Sequence, residues 1–223
     1  MGKETTDRPA WLIVGLGNPG AAYAGTRHNV GFRVVVVLAG AAGVAFAGPA
    51  GGALWARATV GGELAMLLQP QAFMNASGPP VAAWLEALGL PAERLLVVAD
   101  DLDLEVGRVK VAGAGGDGGH RGLRSIAEAV GTAGFLRMRI GIGRPAGEDA
   151  AAYVLKPPGP GEAEALGAAE TRAAEAVRAV MADGPAAAMN RFNPWPPSPA
   201  PWNPRPETPD SEPPGGGDPR AAI

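Results

Sequence analysis

The strongest constraint on the fold is a short apolar run, Trp11 to Leu16, that stops abruptly in glycine-rich sequence. A run too short for a stable helix and closed by turn residues reads as a strand buried on both faces. Arg94 to Ala99 repeats the pattern, and Arg108 to Val111 and Leu136 to Ile142 supply further short strands. Leu54–Val60 and Glu63–Gln69 flank Gly61-Gly62, a two-residue hairpin signal. Between these lie helical segments: Gly31–Gly43, Met74–Leu88 with Pro79-Pro80 near its first turn, and Arg121–Val130. Leu166, Ala169, Ala173, Val177 and Val180 recur at helical spacing and predict an amphipathic helix over the sheet. Strands alternating with helices imply a single α/β domain over residues 9–192, its sheet mixed and mostly parallel and flanked by helices. Residues 1–8 read as a flexible N-terminus and Arg144–Pro160 as a surface loop. Residues 193–223 collapse into proline, glycine and acids, a tail whose composition predicts disorder.

The composition closes off several chemistries. There is no cysteine, so disulfides, thiolate nucleophiles and thiolate metal sites are excluded, and a reducing cytoplasm is the natural setting. The apolar stretch Val34–Ala47 is shorter than the ~20 residues of a spanning helix, and the polar start does not resemble a signal peptide. Gly15–Gly20 matches the dinucleotide fingerprint, but no Asp or Glu occurs between Asp7 and Glu63 to hold a ribose. No cofactor is expected.

The net charge of −3 conceals a basic tract, for between Gly107 and Arg144 seven basic residues stand against two acidic ones. Such a tract is either an anion footprint or a solvated charged face.

Histidine occurs only twice, as His28 and His120. His28 sits in a loop between Arg27 and Asn29, poor material for a core. An imidazole takes a proton from water near neutral pH, and a carboxylate on its other nitrogen fixes its tautomer. An asparagine amide donates to a carbonyl oxygen as it becomes an oxyanion. Asn18, Tyr23–Asn29, Phe73–Ser77 and Asp100–Asp103 all follow predicted strands or lie in glycine-rich loops, where side chains converge at the open edge of an α/β sheet. That cast suits hydrolysis with no metal. Two other arrangements compete: a metal cluster of Asp100, Asp101 and Asp103, and Ser77 as a nucleophile without the usual strained elbow around it.

Long motifs then carry a resemblance. Leu12–Gly20 with Thr26–Phe32, Phe73–Gly78, Asp100–Leu104 with Gly118–His120 and Gly122–Ser125, Arg137–Pro145, and Met189–Asn193 resemble, in order, the motifs of bacterial peptidyl-tRNA hydrolases. The resemblance implies a phosphorylase/hydrolase-like fold and cleavage of the ester between peptide and tRNA, by a cytoplasmic monomer. It makes His28 the catalytic base, Asp100 its supporting acid and Asn18 the residue that distinguishes peptidyl- from aminoacyl-tRNA. Tyr23, Phe73 and Asn75 fall at substrate-binding positions, and Lys110, Arg137 and Arg139 become candidates for tRNA phosphates. The loop at 144–160 would act as a lid. Arg121 departs from the family's usual asparagine at a substrate-contacting position. An arginine there would either grip a phosphate or the terminal ribose, or crowd the cleft. Gln69, Ala72, Ala99 and Ala112 also replace more polar or basic residues. The competing functions are a non-catalytic RNA-binding relative and a serine-type esterase of small substrates.

Overall fold

The computed structural model describes residues 8–145, 147 and 149–196. The expected flexible N-terminus, apart from Arg8, and the tail from 197 lie outside the described residues. In chain order the elements are β1 (Trp11–Gly15), α1 (Val30–Ala41), β2 (Ala47–Ala50), β3 (Ala53–Val60), β4 (Glu63–Pro70), α2 (Gly78–Leu88) and β5 (Leu95–Asp101). They continue as β6 (Val109–Ala112), α3 (Arg121–Val130), β7 (Leu136–Gly141), α4 (Ala150–Val154), α5 (Pro160–Asp183) and α6 (Pro185–Phe192).

The strands form one seven-stranded sheet of order β2-β3-β4-β1-β5-β7-β6. Its centre, β4, β1, β5 and β7, is parallel, whereas β3 and β6 run against their neighbours. The sheet is therefore mixed around a parallel core, as the sequence implied. All five residues of β1 are buried, the expected state of a parallel strand covered on both faces. Ile13, Leu96 and Val98 belong to a core shared with α1, α5 and α6, while Leu12, Val14, Leu95 and Val97 face α2 and α3.

Glycines set two close approaches. Gly61 and Gly62 close the β3–β4 hairpin with positive φ, and a side chain at Gly61 would strike the carbonyl oxygen of Arg178 on α5. Gly31, in the first turn of α1, abuts Leu16 and the carbonyl of Val98 on β5 with no room for a Cβ. This contact seats the residues just before α1, His28 among them, against the end of β5.

The elements depart from the sequence reading in five places. The segment predicted as one helix, Met74–Leu88, is a short helical turn at Met74–Ala76 followed by α2. Pro79 and Pro80 lack the N–H groups that would bond back to Asn75 and Ala76. The 144–160 segment is not all loop: Asp149 caps α4 by accepting from the Ala152 N–H at 3.0 Å, and Tyr153 and Val154 are buried. Strand β2 and helix α6 had not been expected. The body also runs past residue 192, because Asn193 accepts from the Val111 N–H at 2.7 Å and donates to its carbonyl at 2.9 Å. That pairing satisfies the outer edge of β6. Among the described residues no helix is long and apolar enough to cross a membrane.

Candidate active site

A cleft of about 610 Å³ opens at the C-terminal ends of β1, β5 and β7, walled by the 73–75 turn, the start of α3 and α4. Asn18, Tyr23, His28, Phe73, Asn75, Asp100 and Arg121 all line it, so every residue expected at the catalytic or ester-binding positions reaches one cavity.

Asn18 is fixed on three sides. Its N–H donates to Asn29 Oδ1 at 2.9 Å, and Asn29 Nδ2 donates back to its carbonyl at 2.9 Å. Its own Oδ1 accepts the Met74 N–H at 2.8 Å. With the oxygen committed, Nδ2 is the group this side chain has left to offer, a donor held in the cleft that His28 also lines. Exposed Phe73 meets half-buried Tyr23 edge-on, their centroids 6.4 Å apart, and forms an apolar lip.

The centre of the cleft is a shared oxygen. His28 Nδ1 lies 2.8 Å and His120 Nε2 3.0 Å from the same Asp100 Oδ1. The tautomers follow from the backbone. His120 is the N-cap of α3, and its Nδ1 accepts from the N–H groups of Gly122 and Leu123 at 3.1 and 3.3 Å. A nitrogen that accepts carries no proton, so the proton of His120 is on Nε2 and points at Asp100. His28 likewise donates from Nδ1, which leaves its Nε2 lone pair free as a base. Burial alone would raise the Asp100 carboxyl, but electrostatic attraction to His28 and His120 and their hydrogen bonds overcome it and hold it well below the usual carboxylate range.

The same wiring bears on metal binding. Among the described residues the one group spaced to hold an ion is His28, Asp100 and His120. A metal on His120 Nε2 would move that ring's proton to Nδ1, against two backbone N–H groups, so the trio is arranged for protons. The competing cluster of Asp100, Asp101 and Asp103 does not converge. Asp101 pairs with Arg139 at 2.9 Å and Asp103 with Arg144. Ser77 is fully buried, its Oγ has no partner among the described residues, and it does not line the cleft. It lacks the bond to a base that a nucleophile needs.

One expectation is corrected. Arg137 cannot meet tRNA phosphates, for it is 2% exposed and donates to the carbonyls of Gly113, Phe135, Gly115 and Ala133. It shapes the glycine-rich 113–116 loop from within. Arg139 is partly exposed but already bonds Asp101 and the Gly116 carbonyl. Lys110 and Arg121 are exposed, and neither has a hydrogen-bond or ion-pair partner among the described residues.

Sequence reasoning gave His120 no role, although its rarity and its place before a helix pointed to it. Arg27 was also missed. Its buried guanidinium bonds the carbonyls of Tyr153, Lys156 and Pro157, pairs with Glu162 and stacks 4.1 Å over the Tyr153 ring. It thereby anchors α4 to the turn that carries His28.

Comparison with known proteins matches this geometry. The sequence pattern of the family described as "Peptidyl-tRNA hydrolase" matches residues 12–200. The peptidyl-tRNA hydrolase of Chloroflexus aggregans is 46% identical over 186 residues, which cover 82% of this chain and 99% of the relative. That of Frankia alni is 43% identical over 194 residues, covering 86% and 98%. The crystal structure of peptidyl-tRNA hydrolase from Acinetobacter baumannii superposes with a TM-score of 0.78 at 34% identity, over 84% of this chain and 97% of that one.

Proposed function

Because the chain belongs to the peptidyl-tRNA hydrolase family, we propose that its cleft cleaves the ester between a peptide and the terminal ribose of tRNA with His28 as general base. The observation that carries this reading is the fixed tautomer of His28, whose Nδ1 is spent on Asp100 and whose Nε2 faces the cleft. A water on Nε2 loses its proton to the imidazole as its oxygen attacks the ester carbonyl. The Asn18 Nδ2–H group donates to the carbonyl oxygen as negative charge develops there. When the tetrahedral intermediate collapses, the carbon–ribose oxygen bond breaks and His28 returns its proton to the departing ribose oxygen. Asp100 stays ionised and stabilises the transient imidazolium.

Tyr23 and Phe73 supply an apolar surface for the substrate, and Asn75 an exposed amide on the same wall. Arg121 and Lys110 are the free cations placed to meet tRNA phosphates, with Arg139 in support. Arg121 stands in the first turn of α3, where the helix dipole also favours an anion. All catalytic groups come from one chain, so a monomer suffices, and a substrate made in translation implies the cytoplasm. A non-catalytic RNA binder is the weaker reading, because it has no use for a base wired through a buried carboxylate.

The test is release of the blocked amino acid from N-acetyl-aminoacyl-tRNA. Wild type is expected to turn over, and His28→Ala to fall at least ~10²-fold in kcat. An inactive wild type would overturn the assignment, and so would a fully active His28→Ala.

A further inference from the structure

The turn that carries His28, Arg27–Asn29, is tied down on two sides. On one, the Asn29 side chain is paired with Asn18. On the other, the Arg27 backbone N–H donates to the Lys156 carbonyl at 3.1 Å. The Arg27 guanidinium donates to the same carbonyl at 3.2 Å, to that of Pro157 at 3.0 Å and to that of Tyr153 at 3.4 Å. Tyr153 in turn donates its hydroxyl to the Ile142 carbonyl at 2.7 Å, just past the end of β7. Between residues 153 and 156 lie Val154 and Leu155, which line the catalytic cleft, and Leu155 is exposed. One buried side chain thus joins the base to a wall of the cleft.

Stability alone is a weak account of this arginine. A buried ion pair is often no more stabilising than apolar side chains of the same volume. Arg27 is 7% exposed, and its Nε–H has no partner among the described residues, a cost that an apolar side chain would avoid. What an apolar side chain could not supply is direction. A guanidinium holds its donors in one rigid plane, here against those carbonyls and Glu162, and 4.1 Å over the Tyr153 ring. His28 needs such a restraint. The bond from its Nδ1 to Asp100 fixes one point of the ring, and the His120 ring 5.1 Å away limits one side. Where Nε2 points beyond that is set by the backbone of the turn.

We propose that Arg27 is a positioning residue of the reaction: it joins the base and the α4 wall into one body, so that Nε2 keeps its distance from an ester resting on that wall. The inference rests on the function proposed above, and Arg27 acts through His28.

The experiment is a double-mutant cycle on N-acetyl-aminoacyl-tRNA hydrolysis, with kcat expressed per folded molecule from circular dichroism. Arg27→Met keeps a buried stem and loses the donors. It is expected to lower kcat about 10²-fold, the cost of a misplacement of about 1 Å. Arg27→Lys, with the charge but no planar fork, is expected to lower it about tenfold, the equivalent of one hydrogen bond. In a His28→Ala background, where no base remains to be placed, both substitutions should change kcat by less than about twofold. Arg27→Met with the kcat of wild type overturns the proposal. So does a loss from either substitution that is as large in the His28→Ala background as in wild type, the mark of a merely structural role. Should Arg27→Met not fold, Arg27→Lys decides by the same comparison. A wild type with no turnover would instead strike the underlying function.

Discussion

His120 makes two separable contributions, and substitution pulls them apart. Its Nδ1 caps α3 through two backbone N–H groups, and its Nε2–H bonds the buried carboxylate of Asp100. Loss of an N-cap costs about 1 kcal/mol, and loss of a hydrogen bond to a charged group about 2 kcal/mol. His120→Ala should therefore lose about 3 kcal/mol, a fall in Tm of roughly 6–12 °C for a domain of this size. Asp100, released on one side, no longer holds His28 in a single position, and a misplacement of this kind costs about 10²-fold in rate. Asparagine is a preferred N-cap but too short to reach Asp100. His120→Asn should recover about 1 kcal/mol, or about 2–4 °C, while kcat stays as low as in His120→Ala. Thermal melts followed by circular dichroism, with kcat and KM on N-acetyl-aminoacyl-tRNA, measure both effects. Two results refute the reasoning: identical melting of the alanine and asparagine variants, or recovery of kcat by asparagine.

Asp100→Asn removes the charge beside His28. Unit charges ~4 Å apart at an effective dielectric of ~20 interact by about 4 kcal/mol, so kcat should fall about 10³-fold, and a loss under tenfold would contradict the role. Asp100 titrates below its ordinary range, so its stabilising effect is present above the unfolded-state value of about 3.9 and is lost only as pH falls through the lower folded value. The stability gap between wild type and Asp100→Asn, read by urea melts at stepped pH, should thus not close until below pH ~3.9. Arg121→Asn should raise KM and make the slope of log kcat/KM against log salt shallower by about 0.7–1, whereas an unchanged slope would show that Arg121 meets no phosphate. Arg137→Ala should lower stability by about 3 kcal/mol or more, because four carbonyls lose their donor. An unaltered Tm with a shallower salt slope would restore the phosphate role.

The legible parts of the fold were those with strong burial periodicity. Trp11–Leu16 and Leu95–Ala99 are apolar throughout because parallel strands are covered twice, and the five residues read as a stripe on α5 are all buried. Strand β2 carries no such signal, since its four residues are exposed. Helix α4 was masked by the glycines and prolines around it. The pairing of His28 with Asp100, seen as a 2.8 Å contact, could be anticipated because few residue types suit this chemistry and their motifs are long. The fate of Arg137 was illegible for a definite reason. Residues 137 and 139 share one face of β7, and alternation alone makes them equivalent. The 113–116 loop covers one and leaves the other at the rim, and that loop's path depends on carbonyls that Arg137 itself binds.

The direction of proton flow in the cleft is likewise a property of packing. Backbone amides cannot give up or exchange roles, so Gly122 and Leu123 dictate that His120 accepts at Nδ1 and donates at Nε2. Asp100 Oδ1 then receives two donors at 2.8 and 3.0 Å. An oxygen already accepting two hydrogen bonds, on a carboxyl held below its usual range, is a poor proton acceptor. In the proposed mechanism, the proton that His28 takes from water therefore does not pass on to Asp100. It stays on the imidazole, and the departing ribose oxygen, which must be protonated to leave, is the site to which it can be delivered. In the proposed mechanism, two N–H groups at the start of a helix thus favour His28 as a base in the first half of the reaction and an acid in the second.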